Sequence, residues 1–106
     1  TCVEIKVSRA DLRGDRKWTF YLAHCDRFFW AVPPGLPLDD LAMPAFRPED
    51  TGVIVADRFD ADLVRDAPWR PLHAARRRAI TVALARRAAQ RWLAQVDPES
   101  GLIALA

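Results

Sequence analysis

Cysteine is scarce in this chain, with Cys2 and Cys25 among 106 residues and no metal-binding spacing between them. That pattern fits neither a disulfide-stapled scaffold nor a zinc module, and it predicts reduced, buried thiols in a cytoplasmic protein. Long apolar runs are also missing. None approaches the roughly 20 residues that span a bilayer, and no signal-peptide pattern opens the chain, so no membrane partner is expected. Histidine is limited to His24 and His73, far apart in sequence, and neither is assigned a catalytic role. There is no internal repeat and no low-complexity segment. What is present is an ordinary globular balance of 51% hydrophobic and 28% charged residues, enough for one domain with a modest core.

The net charge of +2 hides a segregation. Residues 39–62 carry seven acids and two arginines, a net of −5, whereas residues 65–96 carry eight arginines and one acid, a net of +7. A basic segment of this kind suits a face that meets an anion such as nucleic acid, or else a solvated arginine-rich helix.

Cys2-Val3-Glu4-Ile5-Lys6-Val7 reads as a strand. Alternate residues share a face, so Glu4 and Lys6 project together while Val3, Ile5 and Val7 are expected to fill the core. Two charges on a buried sheet are costly unless they pair or bind something. A carboxylate beside a lysine is also the pair that Mg²⁺-dependent phosphodiester cleavage needs. The carboxylate holds the metal, and the lysine, a compact charge whose pKa can fall on burial, steadies phosphate charge or water.

Further elements follow from pattern. Ser8 caps a first helical turn that Gly14 breaks, and Asp15 caps a helix over Asp15 to His24, with Trp18 and Leu22 turned inward. Phe28 to Val32 is a continuous apolar strand, ended by Pro33-Pro34-Gly35. Leu38 to Met43 is a short helix at best, and Pro44 to Asp50 a loop. Gly52 to Ala56 is a third strand, Asp57 to Asp60 a turn, and Ala61 to Arg65 a weaker fourth strand. A Pro-rich connection leads to a long amphipathic helix over Ala74 to Val96, stopped by Asp97-Pro98. Gly101 to Ala106 is an apolar tail. Strand, helix, strand makes a βαβ unit with parallel strands. The fold class is α/β (α+β) with a mixed sheet.

On the long helix, Arg76, Arg77, Arg87 and Arg91 fall within an arc of roughly 100°, interrupted by Ile80 and Leu84. Val82, Ala85, Ala89, Trp92, Leu93 and Val96 occupy the opposite side. The arginine arc can lie along a phosphate backbone.

Three stretches carry a family resemblance. They are Val3-Glu4-Ile5-Lys6, Asp11 to Trp18 with Tyr21, and Cys25-Asp26-Arg27-Phe28-Phe29-Trp30-Ala31-Val32-Pro33. Together with Glu49 to Asp57 and the arginine-rich helix, this set resembles the MmcB-like DNA repair proteins of the PD-(D/E)XK nuclease-like superfamily. The resemblance implies a restriction-endonuclease-like core of helix, three strands, helix and strand. It places the Glu-X-Lys motif on the third strand and a second metal-binding aspartate on the strand before it. Nothing in residues 1–106 supplies that strand, so the chain is expected to be the C-terminal portion of a single nuclease-like domain, inactive alone. Neither Asp11, Asp15 nor Asp26 is a natural replacement for the aspartate. The resemblance further implies Glu4 as a ligand of Mg²⁺ (or Mn²⁺), Lys6 as its catalytic companion, and DNA as substrate. Lys17, with Tyr21 one turn on, is the candidate for a phosphate contact from the following helix. The alternative is a non-catalytic module that binds DNA or a repair partner, with Glu4 and Lys6 as a structural pair.

Overall fold

The computed structural model describes residues 1–97, and the apolar tail expected at Gly101 to Ala106 lies outside them. Two compact units are present, Thr1–Leu72 and a second one beginning at His73.

The first unit is built on a four-stranded mixed sheet in the order β1-β2-β3-β4. Its strands are β1 (Cys2–Ile5), β2 (Phe28–Val32), β3 (Gly52–Ala56) and β4 (Ala61–Arg65). β1 and β3 flank β2 in parallel, and β4 returns antiparallel to β3. The β1–β2 crossover carries two short helices, α1 (Arg9–Gly14) and α2 (Trp18–Leu22). The single helix expected from Asp15 is therefore shorter, because Asp15 remains extended as the C-cap of α1. Two 3-10 turns, Asp40–Ala42 and Pro44–Phe46, stand where a short helix and a loop were expected.

The core lies on one face of the sheet. Phe28, Trp30, Val32 and Val53 point into it and meet Leu12 of α1, Trp18 of α2 and Leu41 of the acidic loop. Trp18 sits 4.9 Å from the Trp30 ring and 5.6 Å from Phe28, so it is core, as its spacing with Leu22 predicts. Offset and edge-on ring contacts of this kind contribute beyond simple burial.

The placement of β1 corrects one expectation. Val3 and Ile5 are not core but 46% and 70% exposed, and Val7 is exposed too. The reason is that α1, α2 and the acidic loop all pack on the face that carries Cys2 and Lys6. Among the described residues, β1 is moreover an edge strand rather than a central one. The opposite face presents Val3, Ile5, Ala31, Ile54 and Leu63 in register across four strands. There Phe29 is covered by the Arg27 guanidinium and lies directly over Gly52.

Local signals hold the remaining joints. Ser8 caps α1 by accepting from the Asp11 amide at 3.1 Å. Asp57 closes the β3–β4 hairpin by accepting from the Phe59 and Asp60 amides, which lowers its pKa. Arg65 donates to the Thr51 and Leu41 carbonyls and to the Thr51 hydroxyl, tying β4 to the loop before β3.

The second unit contains α3 (Ala74–Val96), with His73 as its N-cap through Nδ1. Its 23 residues run without interruption, as the amphipathic pattern predicts. No helix among the described residues is long and apolar enough to cross a membrane.

Candidate functional site

The carboxyl end of β1 carries the charged group. Glu4 pairs in register with Trp30, and the Lys6 amide extends the ladder by donating to the Ala31 carbonyl at 2.9 Å. Glu4 and Lys6 therefore emerge on one side, and their charges meet, Nζ to Oε1, at 3.3 Å.

Two further carboxylates join them. The short α1 turns the chain back over β1, so that Asp15 Oδ2 lies 2.9 Å from Lys6 Nζ and Asp11 Oδ1 lies 3.7 Å from it. Each acid is held from behind. Asp11 Oδ2 accepts from the Val7 amide at 3.2 Å, and Asp15 Oδ1 accepts from the Lys17 amide at 2.9 Å. Helix α1 is itself clamped to the acidic loop, where Arg9 and Arg13 both bind Asp40 and Arg9 also binds Asp39. Those guanidiniums hold the Asp40 carboxyl below the usual carboxylate range.

The Lys6 side chain is only 9% exposed. Burial pulls its pKa down, but the hydrogen bonds it donates to Asp15 and Glu4, with the charges of Asp15 and Asp11, outweigh that, and the net direction is upward. The expected fall on burial is thus reversed by three acids. Asp15 is the converse case. Burial pushes its pKa up, yet the Lys6 ammonium and the Lys17 amide bring it below the ordinary value. Lys6 is a fixed cation at neutral pH, suited to stabilising negative charge and not to accepting a proton. Three carboxylates against one ammonium leave a formal excess of two negative charges.

A small apolar cavity of about 190 Å³ opens at the carboxyl ends of the three parallel strands, where Ile5, Val7 and Ala31, of the face opposite Glu4, line it with Lys6, Val32, Pro33 and Ala56. In open α/β sheets this is the end at which ligands bind.

Of the other candidates, Lys17 is drawn to the cluster by its backbone, through Asp15. Tyr21 lies on α2 with its ring edge-on to Phe20, and Phe20 in turn stacks on His24 at 4.4 Å. Arg76, Arg77, Arg87 and Arg91 belong to α3 in the second unit. Sequence reasoning missed Asp11 and Asp15 as partners of Lys6. The available signal was a helix of barely two turns between Ser8 and Gly14, short enough to return both acids to the strand they follow.

The two cysteines are free thiols. Cys25 donates to the Leu22 carbonyl at 3.7 Å, and burial, with Cys2 adding to it, pushes its pKa up to about 11; burial also raises that of Cys2. Neither is a reactive thiolate at neutral pH.

With this geometry in place, comparison with known proteins decides the family. A family model described as DNA repair protein MmcB-like matches residues 1–99. The chain belongs to the MmcB-like family of DNA repair proteins. A similar solved structure is SPO1766, a protein of unknown function from Silicibacter pomeroyi, with 42% identity and a TM-score of 0.71. The match covers 92% of this chain and 62% of that one, so the chain spans about three fifths of that relative's length. No protein of curated function matches it. The family places this MmcB-like chain in a DNA-repair-related role.

Proposed function

We propose that the MmcB-like chain is the greater part of a metal-dependent nuclease domain that hydrolyses DNA phosphodiesters. The observation that carries this reading is the Glu4–Lys6 pair, emerging on one side of β1 near the carboxyl ends of the parallel strands. The surrounding donors are carboxylate oxygens, which suit a hard divalent cation such as Mg²⁺ or Mn²⁺. Among the described residues no group of three or more His, Cys, Asp or Glu is arranged to hold a metal. Mg²⁺ takes one or two protein carboxylates and completes its shell with water and phosphate oxygens. Glu4 fits as one such ligand, and the proposal assigns a second carboxylate to a segment upstream of Thr1. A bound ion would polarise the scissile phosphoryl oxygens and acidify a coordinated water. Lys6, kept charged by Asp15, would oppose the negative charge that builds on the phosphorane oxygens.

The test is cleavage of plasmid and branched DNA by the full-length protein, with Mg²⁺, with Mn²⁺ and with chelator. Glu4→Gln preserves size and leaves the Lys6–Asp15 pair in place. It is expected to abolish cutting without lowering the melting temperature. Cutting at the original rate by that variant, or in chelator, refutes the assignment.

One observation favours a second reading. Lys6 is already enclosed by three acids, as in a structural ion cluster. On that reading the domain is a non-catalytic module for DNA or a repair partner. DNA binding is then salt-sensitive and metal-independent, with no cleavage in any condition.

A further inference from the structure

At the other end of the β1–β2 crossover the first unit holds a second cavity, of about 260 Å³. It lies between α2, the start of β2, the loop before β3 and the connection at residues 66–72, away from Lys6 at the carboxyl end of β1. Its apolar wall includes Leu22, Pro68 and Leu72. Its polar wall is Asp50 with Arg47 and Arg70. The Asp26 backbone and carboxylate fix the rim, accepting from the Arg70 and Leu72 amides.

Asp50 is the unusual member. Its side chain is 5% exposed, and Arg47 satisfies Oδ2 through Nε at 2.8 Å. Arg70 lies against Oδ1 as an ion pair but without the alignment of a hydrogen bond, so that buried oxygen accepts none. The ion pair compensates the charge on Oδ1, and a carboxylate oxygen has capacity for a hydrogen bond besides it, which a ligand donor can supply. Arg47 is also held in the left-handed region at φ 46, a conformation that disfavours an arginine. The guanidiniums of Arg47 and Arg70 remain about half exposed at the mouth.

A ligand that matches these groups has an apolar body against Leu22, Pro68 and Leu72, an N–H donor for Asp50 and an anion for the two guanidiniums. We infer that this cavity takes an unstacked, amino-bearing nucleobase. Its exocyclic amine donates to Asp50 Oδ1, and its phosphate rests on Arg47 and Arg70. Carboxylates accept from such amines, as from cytosine N4. The volume falls below the ~300–1,000 Å³ of drug-sized pockets and suits a single base. This inference rests on the DNA-repair reading but not on the nuclease reading, since it uses none of the Glu4–Lys6 cluster.

The experiment is an amide-resolved NMR titration of the full-length protein with deoxycytidine monophosphate, thymidine monophosphate and inorganic phosphate, beside a salt-dependent DNA-binding assay. Deoxycytidine monophosphate should shift the Leu22, Arg70 and Leu72 amides. Thymidine monophosphate, which turns a carbonyl towards Asp50, should bind about tenfold more weakly. Asp50→Asn should erase that discrimination. Thr19→Leu, a substitution at an exposed helical residue that fills the cavity and spares the Asp50 ion pairs, should remove the response in a folded protein. Equal responses to the two nucleotides, or an equal response to inorganic phosphate, overturn the inference. So does the absence of any shift. If DNA binding persists alongside such a failure, the DNA reading stands and only the cavity assignment falls.

Discussion

Lys6 and Asp15 are nine residues apart in the chain and 2.9 Å apart in space, Nζ to Oδ2, at the mouth of the sheet. The pKa of the lysine is raised and that of the aspartate lowered, so each stabilises the charged form of the other. Their pH dependences follow from those directions. The Lys6 contribution is complete below the ordinary lysine pKa of ~10.4 and is lost as pH climbs through the raised folded value. The Asp15 contribution is complete above the ordinary carboxylate value of ~3.9 and is lost as pH falls through its lowered folded value. Stability should therefore be flat with respect to this pair between about pH 4 and pH 10. Asp15→Asn should melt lower than the parent across that plateau. The gap should close as acid protonates Asp15 in the parent. Circular dichroism melts from pH 2 to 10 measure it, and a gap that persists unchanged at pH 2 contradicts the ion-pair account.

This pairing also bears on mutational tests of activity. Removing Lys6 leaves Glu4, Asp11 and Asp15 facing one another without their cation. Breaking a buried pair in this way costs about 3 kcal/mol or more. Lost activity in Lys6→Ala would then report on folding as much as on chemistry, which is why Glu4→Gln is the cleaner probe.

Gly52 yields a second prediction. A Cβ there would sit 2.4 and 2.5 Å from two Phe29 ring carbons and 2.8 Å from the Arg65 carbonyl oxygen. The ring can shift, but the carbonyl belongs to the paired strand and cannot move without opening the β3–β4 ladder. Gly52→Ala should cost about 1–3 kcal/mol in a denaturant titration. Adding Phe29→Leu should return part of that loss and not all of it. A neutral Gly52→Ala would mean that β3 and β4 do not pair closely at Arg65.

Much of the fold was legible because its strongest signals are local. The apolar block Phe28–Val32, the run Gly52–Ala56 and the 23-residue helical period need no knowledge of partners. The parallel β1–β2 pairing followed from the connection between them. The side of β1 that would be buried was not legible. Alternation says that Glu4 and Lys6 share a face but not which face the helices cover. Hydrophobicity argued for Val3 and Ile5, while a short helix bearing Asp11 and Asp15 gave Lys6 enough partners to be the buried one. The acidic pair was hidden for the same reason, since Asp15 had a sufficient local explanation as a helix cap and Asp11 as an acid in the first turn of α1. The second cavity was illegible because Asp50, Arg47 and Arg70 meet only through the tertiary path of the 66–72 connection.

A third prediction separates the arginine-rich helix from the sheet site. Arg87 and Arg91 lie one turn apart on α3, within the arc that also holds Arg76 and Arg77. If that arc tracks a phosphate backbone, each contact releases counterions and contributes about 0.9 to the slope of log affinity against log salt. Arg87→Gln with Arg91→Gln should then weaken duplex binding similarly for unrelated sequences and flatten the slope by up to roughly twice that increment. Glutamine keeps most of the stem and a good helix propensity, so α3 should retain its helicity. Fluorescence anisotropy between 50 and 300 mM salt is the measurement. An unchanged slope would remove α3 from the DNA interface and leave its arginines to a protein partner. A slope that changes only for one sequence would point to base readout, which an arc of backbone-tracking arginines does not provide.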